Sequence, residues 1–67
     1  TANIAANAIL SLAPAVPGLM AEGATFIASG IIDSRKDEVI AGLKKAGLAV
    51  AEVKEKRGWE CIVCKKA

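Results

Sequence analysis

Residues 1–32 carry one charged side chain, Glu22, whereas residues 33–67 carry the other fifteen, with a net charge of +3. Charged side chains are almost never buried without a partner, so an uncharged half reads as interior and a charged half as surface. A single small domain of 67 residues hides only about 60% of the surface that its unfolded chain exposes. With 54% apolar residues and a mean hydropathy of +0.42, this chain holds more apolar material than so small a body needs. The expectation is a piece of a larger protein, with faces that pack on something else.

Several function classes drop out. High hydrophobicity with modest charge excludes disorder. Two cysteines three apart cannot build a disulfide scaffold. No basic stretch opens the chain, so no secretory signal is expected. The uncharged run 1–21 is long enough to cross a membrane, but it contains Asn3, Asn7, Ser11, Pro14, Pro17 and Gly18 and is richer in Ala than in Leu; it is expected to be a buried soluble segment. A net charge of +2 is too close to balance to imply direct nucleic-acid binding.

Ile9, Leu12, Val16 and Leu19 recur at helical spacing and predict one apolar helix face, interrupted by Pro14 and Pro17. Pro14 suits the first position of a second short helix, whereas Pro17 is harder to place. Residues 24–29, between Gly23 and Gly30, predict a strand buried on both faces. Ser34 with Asp37 three residues on predicts a capping box opening a helix with Val39, Ile40, Leu43 and Ala46 on its inner stripe. Lys44 and Lys45 suit its end, and Gly47 supplies a left-handed stop. The remainder predicts a hairpin: strands at 48–53 and 59–64 around a charged turn. Trp59 opens the last strand and is expected to pack on the sheet and hold the preceding helix in place. The order helix, strand, helix, strand, strand is an α/β layout in which the last strand folds back beside its predecessor.

Chemistry is sparse. Cys61 and Cys64 form a CxxC, but with no histidine and no further cysteine they lack the second ligand pair of a zinc site. On a strand their side chains point to opposite faces, which favours two reduced structural thiols over a redox pair. No glycine-rich phosphate loop is present, and without histidine no usual nucleophilic triad can form. Glu22, Asp33 and Glu60 stand isolated and receive no acid–base role. Asn3 has two readings. It caps the following helix, or it sits at the carboxyl end of a strand, where open α/β sheets bind ligands.

The segments Ala2-Asn3-Ile4, Leu12-Ala13-Pro14, Ser29-Gly30-Ile31-Ile32, Ala46-Gly47 and Trp59 resemble, in order and spacing, the C-terminal stretch of the bacterial ribosomal protein L11 methyltransferases. These are PrmA-type, class I S-adenosylmethionine (AdoMet)-dependent enzymes. Glu22-Gly23-Ala24 replaces the family's Pro-Gly-Gly, and Pro17 falls where the family continues a helix.

The resemblance implies the C-terminal portion of a Rossmann-like class I methyltransferase sheet, residues 1–67 being one unit, the C-terminal third of a catalytic domain. Its last strand would lie antiparallel between the two strands before it. Asn3 would line the AdoMet pocket beside the methyl-accepting nitrogen; no catalytic residue and no metal ligand is assigned. The parent enzyme would be cytoplasmic and would methylate amino groups of a ribosomal protein. The isolated piece is expected to be inactive and to self-associate. The competing reading is a non-catalytic α/β protein-interaction module.

Overall fold

The computed structural model describes residues 4–67, with the side chain of Ile4 left aside. Helix α1 (Ile4–Leu12) passes through a 3-10 turn (Ala13–Ala15) into the one-turn helix α2 (Val16–Leu19). Strand β1 (Thr25–Ile32) follows, then a second 3-10 turn (Asp33–Arg35), helix α3 (Lys36–Lys45) and the hairpin β2 (Leu48–Lys56) and β3 (Trp59–Lys66). Both prolines sit in the first turn of their short helices, where a missing N–H costs no intrahelical bond. That resolves the placement of Pro17.

The sheet order is β1-β3-β2, with β3 antiparallel to both neighbours. The final strand therefore inserts between the two that precede it, as the resemblance implies. Each outer strand carries one extra residue. Ser29 and Gly30 together face Cys61, with Gly30 at φ +76, and Ala51 is the extra residue opposite the Val63–Cys64 step. These bulges reset the alternation so that Ala28 and Ile31 of β1 both reach the core.

The core forms on one face of the sheet. Ala6, Ile9 and Ala13 from the first helical segment and Val39 and Leu43 from α3 pack against Ala28, Ile31, Leu48, Ile62 and Cys64. Helices α1 and α3 also touch each other, so both lie on this face. Gly42 lets them approach, since a Cβ there would overlap Leu10 Cδ2.

Four expectations need correction. The buried face of the first segment runs through Ala6, Ile9 and Ala13, whereas Leu12 and Leu19 are exposed. Strand β1 is not buried on both faces: Ile27 is 60% exposed, because no described element covers the far side of the sheet. The capping box does not form; a 3-10 turn precedes α3, and Arg35 at its N-cap makes no side-chain capping bond. Trp59 is 50% exposed and projects from the helix-free face, since its neighbour Glu60 points into the core. It cannot hold α3.

The hairpin and α3 are present, but strand limits move: β1 runs on through Gly30 to Ile32, and Lys54, Glu55 and Lys56 continue β2 instead of forming a charged turn. Helix α3 buries Val39 and Leu43 and ends at Gly47, whose φ is +102 and whose N–H donates to the Lys44 carbonyl at 3.1 Å. The hairpin closes through Arg57 and Gly58, both left-handed at φ 54 and φ 84, a type I′ turn whose twist matches the strands. Among the described residues, no helix is long and apolar enough to cross a membrane.

Candidate functional site

Strands β1 and β2 run in the same direction, so their carboxyl ends define one edge of the sheet, the edge where open α/β sheets place ligands. At this edge lie the end of β1, the turn Asp33–Arg35, the start of α3, the first turns of α1 and the Arg57–Gly58 turn. Asn3, the cofactor contact expected from sequence, precedes α1 and lies outside the described residues. Asn7, one turn further on, is described, and it is tied in place.

Arg35 makes that tie. Its Nη1 donates to Asn7 Oδ1 at 2.6 Å, while Nε and Nη2 each donate to the Glu38 carboxylate at 2.9 Å. The two-pronged bond to Glu38 holds the guanidinium plane fixed and aims an Nη1–H at α1. Hydrogen bonding between them raises the Arg35 pKa and lowers that of Glu38. Because Glu38 is well exposed, solvent screens the pair; its value lies in geometry, fixing the start of α1 relative to the turn after β1. Sequence reasoning missed this role, since the contact spans 28 positions and only the fold brings it together.

The second feature of the edge is Glu60. Sequence reasoning gave it no role, yet it is 2% exposed, and no N–H or O–H donor reaches either carboxyl oxygen. It faces the helical layer beside Ile31, its cross-strand partner, and opposite Glu55 of β2. The Asp33 backbone N–H donates to the Gly58 carbonyl at 2.8 Å, which continues the β1–β3 register one step past Ile32 and Trp59, so Asp33 follows Ile31 onto the face that holds Glu60. The Glu60 pKa is raised, first by the hydrogen bond with Asp33, then by burial and by the Asp33 charge. Two carboxylates cannot donate to each other, so that bond exists only while one of them keeps a proton.

Cys64 is buried and Cys61 half-buried on the opposite face, and both are free. Burial raises the Cys64 pKa, which disfavours the reactive thiolate. Among the described residues, no three His, Cys, Asp or Glu side chains come together as metal ligands. A shallow groove of about 380 Å³, lined by Leu10, Pro14, Gly42, Lys45 and Ala46, lies toward the other end of α3, away from the carboxyl edge.

An antiparallel strand set between two parallel neighbours, with α1 and α3 on one face, is a mixed α/β layout that fits a piece of a methyltransferase domain. Comparison with known proteins gives the family. The model described as "Ribosomal protein L11 methyltransferase (PrmA)" matches residues 1–67. Proteins named ribosomal protein L11 methyltransferase are similar to this chain throughout. The one from Agathobacter rectalis is 42% identical over 65 residues, covering 97% of this chain and 20% of its own length. That from Desulfitobacterium hafniense is 50% identical over 58 residues, 87% of this chain and 19% of its own. That from Heliobacterium modesticaldum is 39% identical over 66 residues, 98% of this chain and 21% of its own. The chain belongs to the ribosomal protein L11 methyltransferase (PrmA) family, and it spans about a fifth of the length of these relatives.

Proposed function

We propose that these residues are the C-terminal third of the catalytic domain of a cytoplasmic, AdoMet-dependent enzyme that methylates amino groups of a ribosomal protein. The observation that carries this reading is the family match over residues 1–67, in a chain whose last strand takes the inserted antiparallel position. Substrate recognition goes through protein, with no direct nucleic-acid or membrane contact.

Asn3 is proposed to line the AdoMet pocket next to the accepting nitrogen. Methyl transfer is an in-line displacement: the amine lone pair attacks the sulfonium methyl, the carbon–sulfur bond breaks, and the new ammonium then loses a proton. Alignment supplies much of the rate of such a reaction. An amide oxygen can orient the amine by accepting one N–H, but it is too weak a base to take the proton. Arg35, through Asn7, holds the start of α1, the element that directly follows Asn3.

The test is Asn3→Ala in the full-length enzyme, measured with AdoMet and the purified ribosomal protein. The expected loss in kcat/KM is about 100-fold, the scale of a misaligned reacting group. Unchanged kcat/KM overturns the assignment. These 67 residues alone are proposed to be inactive, to bind AdoMet no tighter than millimolar, and to self-associate through α1 and β1. Micromolar binding by calorimetry, or a clean monomer at all concentrations in sedimentation, counts against those statements.

A further inference from the structure

Glu60 is the most unusual polar group among the described residues: it is enclosed, and no donor reaches either of its oxygens. An ionised carboxylate without donors is strongly disfavoured in such a place, so this position calls for a neutral acid. The surroundings agree. Ile31 of β1 packs beside it, Glu55 stands opposite on β2, Asp33 approaches from the turn after β1, and Lys36 is the charged group contributed by α3. Glu55 is occupied elsewhere, accepting the Gly58 N–H at 2.7 Å. Lys36 favours ionisation, but Asp33 and burial outweigh it, and the Glu60 pKa is raised.

We infer that Glu60 and Asp33 form a proton-sharing pair that ties the β2–β3 hairpin to the turn between β1 and α3 while the proton is present, and loosens that tie when the proton leaves. Asp33 is exposed, so it connects the enclosed Glu60 to water and gives the proton a path. With the proton held, the protonated carboxyl donates to the other and satisfies a buried oxygen. Once it is lost, two negative groups face each other with Glu55 close by, at the point where the Asp33 N–H to Gly58 bond anchors the turn. That turn leads directly into Arg35, the residue that holds α1, so proton loss at Glu60 loosens the carboxyl edge of the sheet.

The direction with pH follows from the raised Glu60 pKa in the folded chain. The folded state binds the proton more tightly than the unfolded state. The stabilising contribution is therefore complete below the ordinary glutamate pKa and is lost as pH rises through the higher folded value.

The experiment is a carboxyl-carbon NMR titration of the intact chain, paired with urea unfolding midpoints from about pH 4 to about pH 8. Glu60 is expected to titrate above an ordinary glutamate. The wild-type midpoint is expected to fall across that window. In Glu60→Gln, which mimics the neutral acid, it should stay level, and Asp33→Asn should reduce the fall. A Glu60 that titrates at or below the ordinary value, showing Lys36 as its partner, overturns the proposal. So does a wild-type midpoint that holds or rises, or a Glu60→Gln slope equal to wild type. If Glu60→Gln fails to fold, the wild-type titration and the exposed Asp33→Asn variant decide.

Discussion

Replacing Trp59 and Ile62 by alanine, separately, tests which face of β3 holds the chain together. They sit three apart on the central strand and point to opposite faces. Ile62 is 0% exposed, at the centre of the helix-covered face and paired with Ala28 and Val53 on either side. Its truncation loses transfer energy and leaves a cavity that helices on one side and strands on both sides keep from collapsing, about 3–4 kcal/mol. Trp59 is 50% exposed on the bare face. About half of its side-chain area, roughly 100 Å², is shielded, worth at most about 2.5 kcal/mol and nearer 2 once residual burial in the unfolded chain is counted. No cavity term adds to that, because solvent fills the space.

A domain of this size has only about 3–5 kcal/mol in total. Trp59→Ala should therefore remain folded with a lowered urea midpoint, while Ile62→Ala should be largely unfolded in water. The milder Ile62→Val, costing about 1 kcal/mol, gives a measurable midpoint for the same site. Far-UV circular dichroism is the suitable probe, since Trp59 is the sole tryptophan and its removal abolishes the fluorescence signal. If Trp59→Ala costs as much as Ile62→Ala, the bare face is covered after all and the one-sided core is wrong.

Three further outcomes follow from the backbone and the helix contact. Gly47→Ala forces an L-residue to φ +102 with no steric contact closer than an ordinary one, so the loss should be the backbone cost alone, about 1–2 kcal/mol by thermal or urea unfolding. Arg57→Asn places a residue that tolerates left-handed geometry in the type I′ turn, and the midpoint should rise by the equivalent of up to about 1 kcal/mol; a fall would show that the turn is of another type. Gly42→Ala gains about 1 kcal/mol of helix propensity but pushes Leu10 off its rotamer at a similar cost, so stability should stay within about 1 kcal/mol of wild type. A loss above about 3 kcal/mol would show that α1 itself must move.

The element order was legible because each element carried a local signal. The stripe Val39, Leu43 and the stop at Gly47 fix α3 from neighbouring residues alone, and the structure follows them; the hairpin too is legible, but its charged turn narrows to Arg57 and Gly58. The strand order was not in those signals. It came from resemblance, since nothing local in β3 says that it inserts between β1 and β2. Burial was misread wherever it depended on which face is covered. Ile27, Leu12, Leu19 and Trp59 are apolar and were assigned to an interior, yet all helical packing lies on the other face or along Ala6, Ile9 and Ala13. The bulge at Ser29–Gly30 hid the phase of β1, because an extra residue turns simple alternation into an apparent two-faced apolar run.

The polar groups at the carboxyl edge show the opposite failure. Asn7 lies in a run expected to be buried, Glu60 stands isolated in sequence and Arg35 carries no motif; the fold alone brings Arg35 to Asn7 and turns Glu60 inward. Arg35, at the N-cap of α3, links two helices. Glu60 looked like one charge in a charged half, but alternation along β3 turns it inward with Ile62 and Cys64. The common cause is that a strand's period sends every second residue to the core whatever its polarity, once its neighbours are anchored there. With Ile62 and Cys64 fixed inward, Glu60 has no other direction to point. A carboxyl group retained at such a position, where an aliphatic residue would pack without penalty, is the observation that makes its protonation state worth measuring.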